Sequence, residues 1–187
     1  MRKVVYGGAT SLDMYLARED GAVDWLIMDS ESMGLMAEMW DRFDCMVMGR
    51  KTFTNSMVQF SEEDLKKAEE SMGDMRSYVF SRTLEPGKKG AYEIVNEDAG
   101  KFVKELKSKP GKDIMVMGGG ELAASLFEAA LIDEVGFNIH PVLLGSGIPA
   151  FRPISRQADL ELIESKPMKS GCVYVVYKVV NISGEAA

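Results

Sequence analysis

The stretch Met115-Val116-Met117-Gly118-Gly119-Gly120-Glu121-Leu122 runs from a strand-like apolar segment through three glycines into a helical pattern. Because glycine has no Cβ, backbone amides at such a turn can approach a pyrophosphate, and the following helix N-terminus adds partial positive charge. The triplet is neither the spaced Gly-x-Gly-x-x-Gly fingerprint nor a P-loop, since no Gly-Lys-Ser/Thr ending follows. By itself it predicts either a phosphate-binding turn or only a tight turn.

Two further junctions repeat this pattern of a strand that ends in polar or glycine residues. Met46-Val47-Met48-Gly49-Arg50-Lys51-Thr52 places glycine, two cations and a hydroxyl where a helix begins. Val79-Phe80-Ser81-Arg82-Thr83 offers a guanidinium between hydroxyls, which suits a phosphomonoester, although a solvated loop arginine has the same pattern. Open α/β sheets bind ligands at the carboxyl ends of their strands, so one nucleotide diphosphate could contact all three junctions.

The order of elements predicts an α/β fold with a mostly parallel sheet. Strand-like runs alternate with helical periods up to Val135, and after it no helix-length period remains, which predicts antiparallel pairing at the end of the sheet. We expect one domain over residues 1–180 and a disordered tail over 181–187. The eight predicted strands are Lys3–Tyr6, Cys45–Met48, Tyr78–Phe80, Tyr92–Val95, Ile114–Met117, Val135–Ile139, Leu160–Ile163 and Val173–Val180.

Two helical segments carry specific expectations. Met33, Met36, Trp40 and Phe43 recur at spacings of three and four, which predicts one helix face packed in the core. A second helix is predicted to open at Ser61, whose side chain can cap the free amides ahead of three acidic residues.

Composition excludes several classes of function. The formal net charge of −7 disfavours general binding to nucleic acids and anionic membranes. No apolar run approaches the roughly 20 residues of a membrane span, so a cytoplasmic protein is expected. Cys45 and Cys172 lie in apolar runs and are interpreted as buried thiols, and no metal site is predicted.

A set of short motifs, in this order and separation, resembles the dihydrofolate reductase superfamily. The most similar branch contains the reductase domain of bacterial riboflavin biosynthesis, the RibD C-terminal domain. The resemblance implies a three-layer α/β/α fold with a mostly parallel eight-stranded sheet and an antiparallel C-terminal strand, NADPH as cofactor, and frequent homodimers. The motifs are Ser11-Leu12-Asp13, Val23-Asp24-Trp25-Leu26, Gly49-Arg50-Lys51-Thr52-Phe53, Phe80-Ser81-Arg82, Gly118-Gly119-Gly120-Glu121-Leu122 and Pro141-Val142-Leu143-Leu144-Gly145-Ser146-Gly147.

The resemblance also implies cofactor contacts. Ala9 would lie against the nicotinamide, and the segment from Asp13 to Trp25 would correspond to the loop that covers it. A cis peptide bond is implied at Gly118-Gly119. The remaining cofactor-binding residues implied are Gly49, Arg50, Lys51, Thr52, Ser81, Arg82, Gly118, Gly119, Gly120, Glu121 and Leu122.

The predicted substrate side is less complete. Ala9, Trp25, Asn55 and Asn138 are the substrate-binding residues that the resemblance implies. Reduction of a C=N or C=O bond also needs a proton, and folate reductases use a carboxylate a few residues past the tryptophan.

Counting from Trp25 falls on Ser30, so the proton donor is Asp29 or Glu31, with Asp29 preferred. Asp29 could instead be a helix N-cap. The single histidine, His140, is interpreted as structural.

Two positions depart from the family pattern. Met14 stands where this branch usually has glycine, and Ala123 stands where folate reductases have tyrosine. The leading hypothesis is an NADPH-dependent reductase of a small pterin-like, pyrimidine-like or carbonyl substrate. The alternatives are a dinucleotide-binding protein of the same fold without turnover and an assembly role for a free sheet edge at Val173–Val180.

Overall fold

The computed structural model describes residues 1–59, 63 and 73–183. The helix predicted to open at Ser61 lies outside these residues except for Glu63, and so do residues 184–187 of the expected tail. The last strand runs to Ser183, so regular structure continues past the expected boundary at residue 180.

The described residues form eleven strands and four helices. The helices are α1 (Ser30–Trp40), α2 (Arg50–Gln59), α3 (Ala99–Ser108) and α4 (Gly120–Glu128). The strands are β1 (Val4–Ser11), β2 (Tyr15–Ala17), β3 (Phe43–Gly49), β4 (Arg76–Phe80), β5 (Gly87–Lys89), β6 (Tyr92–Val95), β7 (Asp113–Met117), β8 (Glu134–His140), β9 (Ile148–Pro149), β10 (Gln157–Pro167) and β11 (Val173–Ser183).

Nine of these strands make one sheet in the order β10-β11-β8-β1-β7-β3-β4-β6-β5. The strands from β8 to β6 in this order are parallel to their neighbours, whereas β11 and β10 at one end and β5 at the other pair antiparallel. The predicted fold class is confirmed, with nine strands rather than eight. The additional strand is the exposed edge strand β5, whose sequence Gly-Lys-Lys gives no strand signal.

Alternating side chains of the strands supply two separate cores. Val4 and Tyr6 of β1 face α3 and α4, while the intervening Val5 belongs to the cluster that packs against Phe53 of α2. A third cluster joins Leu35 of α1 to β11. The period of two in each central strand therefore produces the three layers of the fold.

The prediction for the buried face of α1 is wrong. Met33 and Met36 are 54% and 41% exposed, and the buried residues of the helix are Ser32 and Leu35. Phe43 is not on the helix at all, because it starts β3. The described part of the chain contains no helix that is both long and apolar enough to cross a membrane.

The free edge of the sheet is also not where the sequence predicted it. β11 pairs with β8 on one side and with β10 on the other, so Val173–Val180 is an interior strand. The edge strand at this end of the sheet is β10, whose Leu160, Leu162 and Ile163 are 45%, 53% and 53% exposed.

Candidate functional site

The three predicted junctions lie side by side at one edge of the sheet. β7, β3 and β4 are consecutive parallel strands, with Met48 opposite Met117 and Gly49 opposite Phe80. The turns that follow these strands therefore leave the sheet at the same level. The structure thus brings the glycine triplet, Arg50 and Arg82 to one carboxyl-terminal edge, where open α/β sheets bind ligands.

The glycine triplet makes a left-handed turn into α4. Gly118 and Gly119 have φ of 59° and 58°, a region that residues with a Cβ rarely adopt. The cis peptide expected at Gly118-Gly119 is not observed, because the described residues contain no cis bond. The turn reverses instead through two successive positive φ angles, and Gly119 is the residue that precedes the first turn of α4.

Close packing explains why the outer two glycines have no side chain. A Cβ on Gly118 would lie 2.7 Å from Cγ2 and Oγ1 of Thr52 at the start of α2. A Cβ on Gly120 would lie 3.0 Å from the carbonyl oxygens of Pro149 and Ala150. The α2 start and the loop after β9 therefore touch the glycine turn from two sides and fix its position.

Charged side chains surround the amino end of α4. Lys51 Nζ lies 3.3 Å from Glu121 Oε1, and Arg152 Nη2 lies 3.7 Å from the same oxygen. All three side chains are about half exposed or more, so these ion pairs are weak and can exchange for a ligand phosphate. Arg152 was missed by the sequence analysis because it lies in an irregular loop with no neighbouring motif.

The other predicted cofactor residues have different surroundings. Arg50 and Arg82 are exposed, whereas Ser81 is buried and its hydroxyl accepts hydrogen bonds from the amides of Thr83 and Leu84. Ser81 thus shapes the turn that carries Arg82. Leu122 lies on the buried face of α4, and its side chain packs in the core rather than at the turn.

The segment after β1 is hydrogen-bonded to the loop that follows β8. Asp13 accepts hydrogen bonds from the amides of Leu144 and Gly145 and from the Ser11 hydroxyl, and these bonds lower its pKa, the Ser11 bond most. Further along, β2 pairs with β9. The segment that the resemblance identifies as the covering loop is therefore connected to the loop after β8.

His140, at the end of β8, is the centre of a buried polar cluster. Its Nδ1 accepts a hydrogen bond from the Ile27 amide at 3.2 Å, and Cys172 Sγ lies 3.5 Å from the same atom. The Trp25 ring packs edge to face on the imidazole, with the two ring centroids 5.3 Å apart. Burial lowers the pKa of His140, and the charge of Asp29 opposes this in part, so the ring is neutral at pH 7.

Asp29 occupies the N-cap position of α1, the alternative that the sequence left open. Its Oδ1 accepts the Ser32 amide at 2.8 Å, and that backbone bond is the first cause of its lowered pKa. Glu31 is used elsewhere, because its carboxylate accepts the Lys169 amide at 3.0 Å.

The four predicted substrate residues are only partly brought together. Ala9 is the register partner of Asn138 across β1 and β8, and Asn138 Nδ2 lies 3.4 Å from Nε2 of His140, which Trp25 also contacts. Asn55 is half-buried on α2, on a different element. Ala9, Trp25 and Asn138 thus form one neighbourhood around the histidine.

Residues 2–174 match the family model described as the RibD C-terminal domain. The chain belongs to the RibD C-terminal domain family. Uncharacterized protein YyaP of Bacillus subtilis (strain 168) is 31% identical over 180 residues, which cover 94% of each chain.

Solved structures show the same fold. A putative riboflavin biosynthesis protein from Shewanella sp. PV-4 matches with a TM-score of 0.75 and 24% identity, over 97% of this chain and 100% of that one. Dihydrofolate reductase from Enterococcus faecalis, in complex with NADP(H), matches with a TM-score of 0.67 and 13% identity, over 96% and 97% of the two chains. The fold is therefore of the reductase type common to the RibD C-terminal domain and dihydrofolate reductase.

The two departures from the family pattern have clear positions in this RibD C-terminal domain. Met14 has φ of 62°, the left-handed conformation that glycine adopts without strain. Ala123 lies on the buried face of α4.

Both cysteines are buried and free, and burial raises the pKa of Cys45 to about 11, which keeps that thiol protonated.

Proposed function

We propose that this protein is an NADPH-dependent reductase of a small pterin-like, pyrimidine-like or carbonyl substrate. The observation that carries the proposal is the alignment of three phosphate-suited turns on the adjacent strands β7, β3 and β4. The family and the fold it shares with an NADP(H)-binding dihydrofolate reductase support it.

The residues present fit a dinucleotide phosphate. Gly118 and Gly119 leave their backbone bare at the amino end of α4, where the helix dipole favours an anion. Arg50, Lys51, Thr52 and the α4 amides would hold the diphosphate, and Arg82 would hold the 2′-phosphate of the adenosine end. When bound, NADPH supplies the hydride, and Ala9 leaves room for its nicotinamide.

The proton would be supplied near Asp29. Its carboxylate stays ionised because the N-cap bonds lower its pKa, so it would orient a proton-donating water rather than give up a proton of its own. The segment from Asp13 to Trp25 would exclude bulk solvent.

Cofactor titration tests the proposal. We expect the parent protein to bind NADPH at least about tenfold more tightly than NADH, because one charged contact to the 2′-phosphate contributes about 1.5–3 kcal/mol. Arg82→Ala should remove that preference and leave NADH binding nearly unchanged, measured by calorimetry.

Arg156→Ala is the matched control for this titration. Arg156 is also exposed, but its charge acts on Glu128 at the carboxyl end of α4, the end opposite the glycine turn. No binding of either nucleotide, or tighter binding of NADH, would refute the cofactor assignment.

The second candidate is a dinucleotide-binding protein without turnover. The use of Asp29 as a helix cap favours it, since no carboxyl group at that position is free to donate a proton. It predicts NADPH binding without NADPH oxidation across a panel of pterins, pyrimidines and carbonyl compounds. Oxidation with any of these compounds eliminates it.

We also propose a homodimer formed through β10. This strand is a long sheet edge with exposed Leu160, Leu162 and Ile163, and unpaired apolar edges favour pairing with another chain. Sedimentation of the parent should give a dimer, and Leu162→Lys should give a monomer. Glu161→Gln, an exposed change on the same strand, should stay dimeric. A monomeric parent would contradict this proposal.

A further inference from the structure

A cavity of about 360 Å³ lies between α4 and the last strands of the sheet. Val135 of β8 and Ala158 and Leu160 of β10 line it on the sheet side. On the helix side it is lined by one face of α4, with residues at spacings of three and four. Because three of the four helix residues are glycine or alanine, the helix leaves this space unfilled. The four are Gly120, Ala123, Ala124 and Phe127.

The loop between β9 and β10 also lines the cavity, and it is attached to both ends of α4. At the amino end, a Cβ on Gly120 would lie 3.0 Å from the Ala150 carbonyl oxygen, which also accepts a hydrogen bond from the Tyr6 hydroxyl. At the carboxyl end, the amide and the hydroxyl of Ser155 donate to the Glu128 carboxylate. These two attachments fix the loop along the helix, so the cavity is part of the fold.

Two phenyl rings form an aromatic wall of the cavity. Phe127 and Phe151 lie with their ring centroids 6.4 Å apart. Phe151 packs edge to face on Tyr6 and Phe137, at centroid distances of 5.6 and 5.7 Å, yet it is 42% exposed and can be reached by a ligand. Such a wall favours another aromatic ring. The volume lies near the lower end of ligand pockets, about 300–1,000 Å³, which suits one or two fused rings.

The charged side chains that line the cavity are both arginines. Arg152 and Arg156 are exposed, in a chain whose net charge is −7. Arg152 lies 3.7 Å from Glu121 Oε1, a weak exposed pair. Among the described residues Arg156 makes no hydrogen bond or ion pair, since Glu128 is bonded to Ser155. The planar fork of an unpaired guanidinium suits a carboxylate.

We infer that this cavity is a second ligand site, which binds a small aromatic carboxylate with its ring against Phe127 and Phe151 and its carboxylate on Arg156. Arg152 adds a second positive charge at the same cavity. An apolar body and a single anionic group match the apolar lining and the two cations. The site goes beyond the proposed reductase function and does not depend on it.

The first test separates the charge of the ligand from its ring. Naphthoate and its neutral counterpart naphthylmethanol are titrated into the parent protein by calorimetry at neutral pH. We expect naphthoate to bind at least about tenfold more tightly, because hydrogen bonds to a charged group are the stronger kind. Arg156→Gln should remove this preference and leave naphthylmethanol binding unchanged. Equal binding of the two compounds by the parent overturns the inference.

The second test fills the cavity. Ala124 is half-buried on the cavity face of α4, so the larger side chain of Ala124→Leu occupies the ligand's space. We expect both compounds to bind more than tenfold more weakly, while the urea midpoint stays the same or rises, since a filled cavity favours the folded state. Ala37→Leu, the same change at an exposed position of α1, is the control and should bind as the parent does.

Two outcomes of these titrations overturn the inference. One is naphthoate binding that Ala124→Leu leaves intact, which would place the compound elsewhere on the protein. The other is a parent that does not bind naphthoate. If the Leu162→Lys variant binds it in that case, a second copy of the chain occupies the cavity instead of a ligand. None of these measurements uses a nucleotide, so a failed NADPH titration would refute the reductase proposal and leave this site standing.

Discussion

Gly7→Ala is expected to be the most destabilising single substitution in the sheet. Gly7 lies in the middle of β1, opposite Gly136 of β8, and an added Cβ would overlap the Gly136 carbonyl oxygen. Neither backbone can move without breaking the ladder between these two interior strands. We expect a loss of at least about 3 kcal/mol in the free energy of unfolding, a large part of a typical total of about 5–15 kcal/mol.

Gly136→Ala is the matched control, because it adds the same methyl group to the partner residue. Its Cβ would meet nothing closer than Val176 Cγ2 at 3.6 Å, an ordinary contact. We expect a change within about 1 kcal/mol. Urea unfolding followed by tryptophan fluorescence compares the two variants. Equal stabilities would contradict the close approach of β1 and β8 at this level.

Gly118→Ala should have the largest effect on the candidate site. The left-handed conformation costs an alanine about 1–2 kcal/mol, and the new Cβ would lie 2.7 Å from the stiff side chain of Thr52. Relief requires α2 to move away from the glycine turn, which separates Arg50 and Lys51 from α4. We expect stability to fall by about 2–4 kcal/mol and NADPH affinity to fall more than tenfold.

A double-mutant cycle with Thr52→Ala tests the cause. Without Cγ2 and Oγ1, the nearest Thr52 atom to the new Cβ is the residue's own Cβ, at 3.3 Å. Gly118→Ala should therefore cost less stability in the Thr52→Ala background than in the parent. Equal costs in both backgrounds would show that backbone strain alone is responsible.

Gly34→Ala, in an open position on α1, should instead raise stability by about 0.5–1 kcal/mol.

The strands of the sheet were predictable because they are buried on both faces. Runs such as Ile114–Met117 are apolar throughout, and that pattern needs no tertiary information. The edge strands were predicted less well. β5 has the sequence Gly-Lys-Lys, which was not predicted as a strand, and β10 extends beyond the predicted Leu160–Ile163 at both ends. Such strands exist because a neighbour offers backbone hydrogen bonds, which leave little trace in side-chain type.

The cofactor side of the candidate site was more predictable than the substrate side. Each of its turns follows its strand directly, so the glycines and cations of one turn are local in sequence. Arg152 was missed because only the fold carries its loop to Glu121. The His140 cluster was missed for the same reason, since Ile27 and Cys172 are far from it in the chain.

The sequence by itself determined the α/β class, the parallel core of the sheet and the three strand-to-turn junctions, because each depends on side chains that are neighbours in the chain. Only the tertiary structure decided which face of α1 is buried, that β10 and not β11 is the edge, and that Asp29 caps a helix. It also decided which atoms face His140. The physical reason is that burial, pairing and pKa depend on groups that only folding brings within a few ångströms of one another.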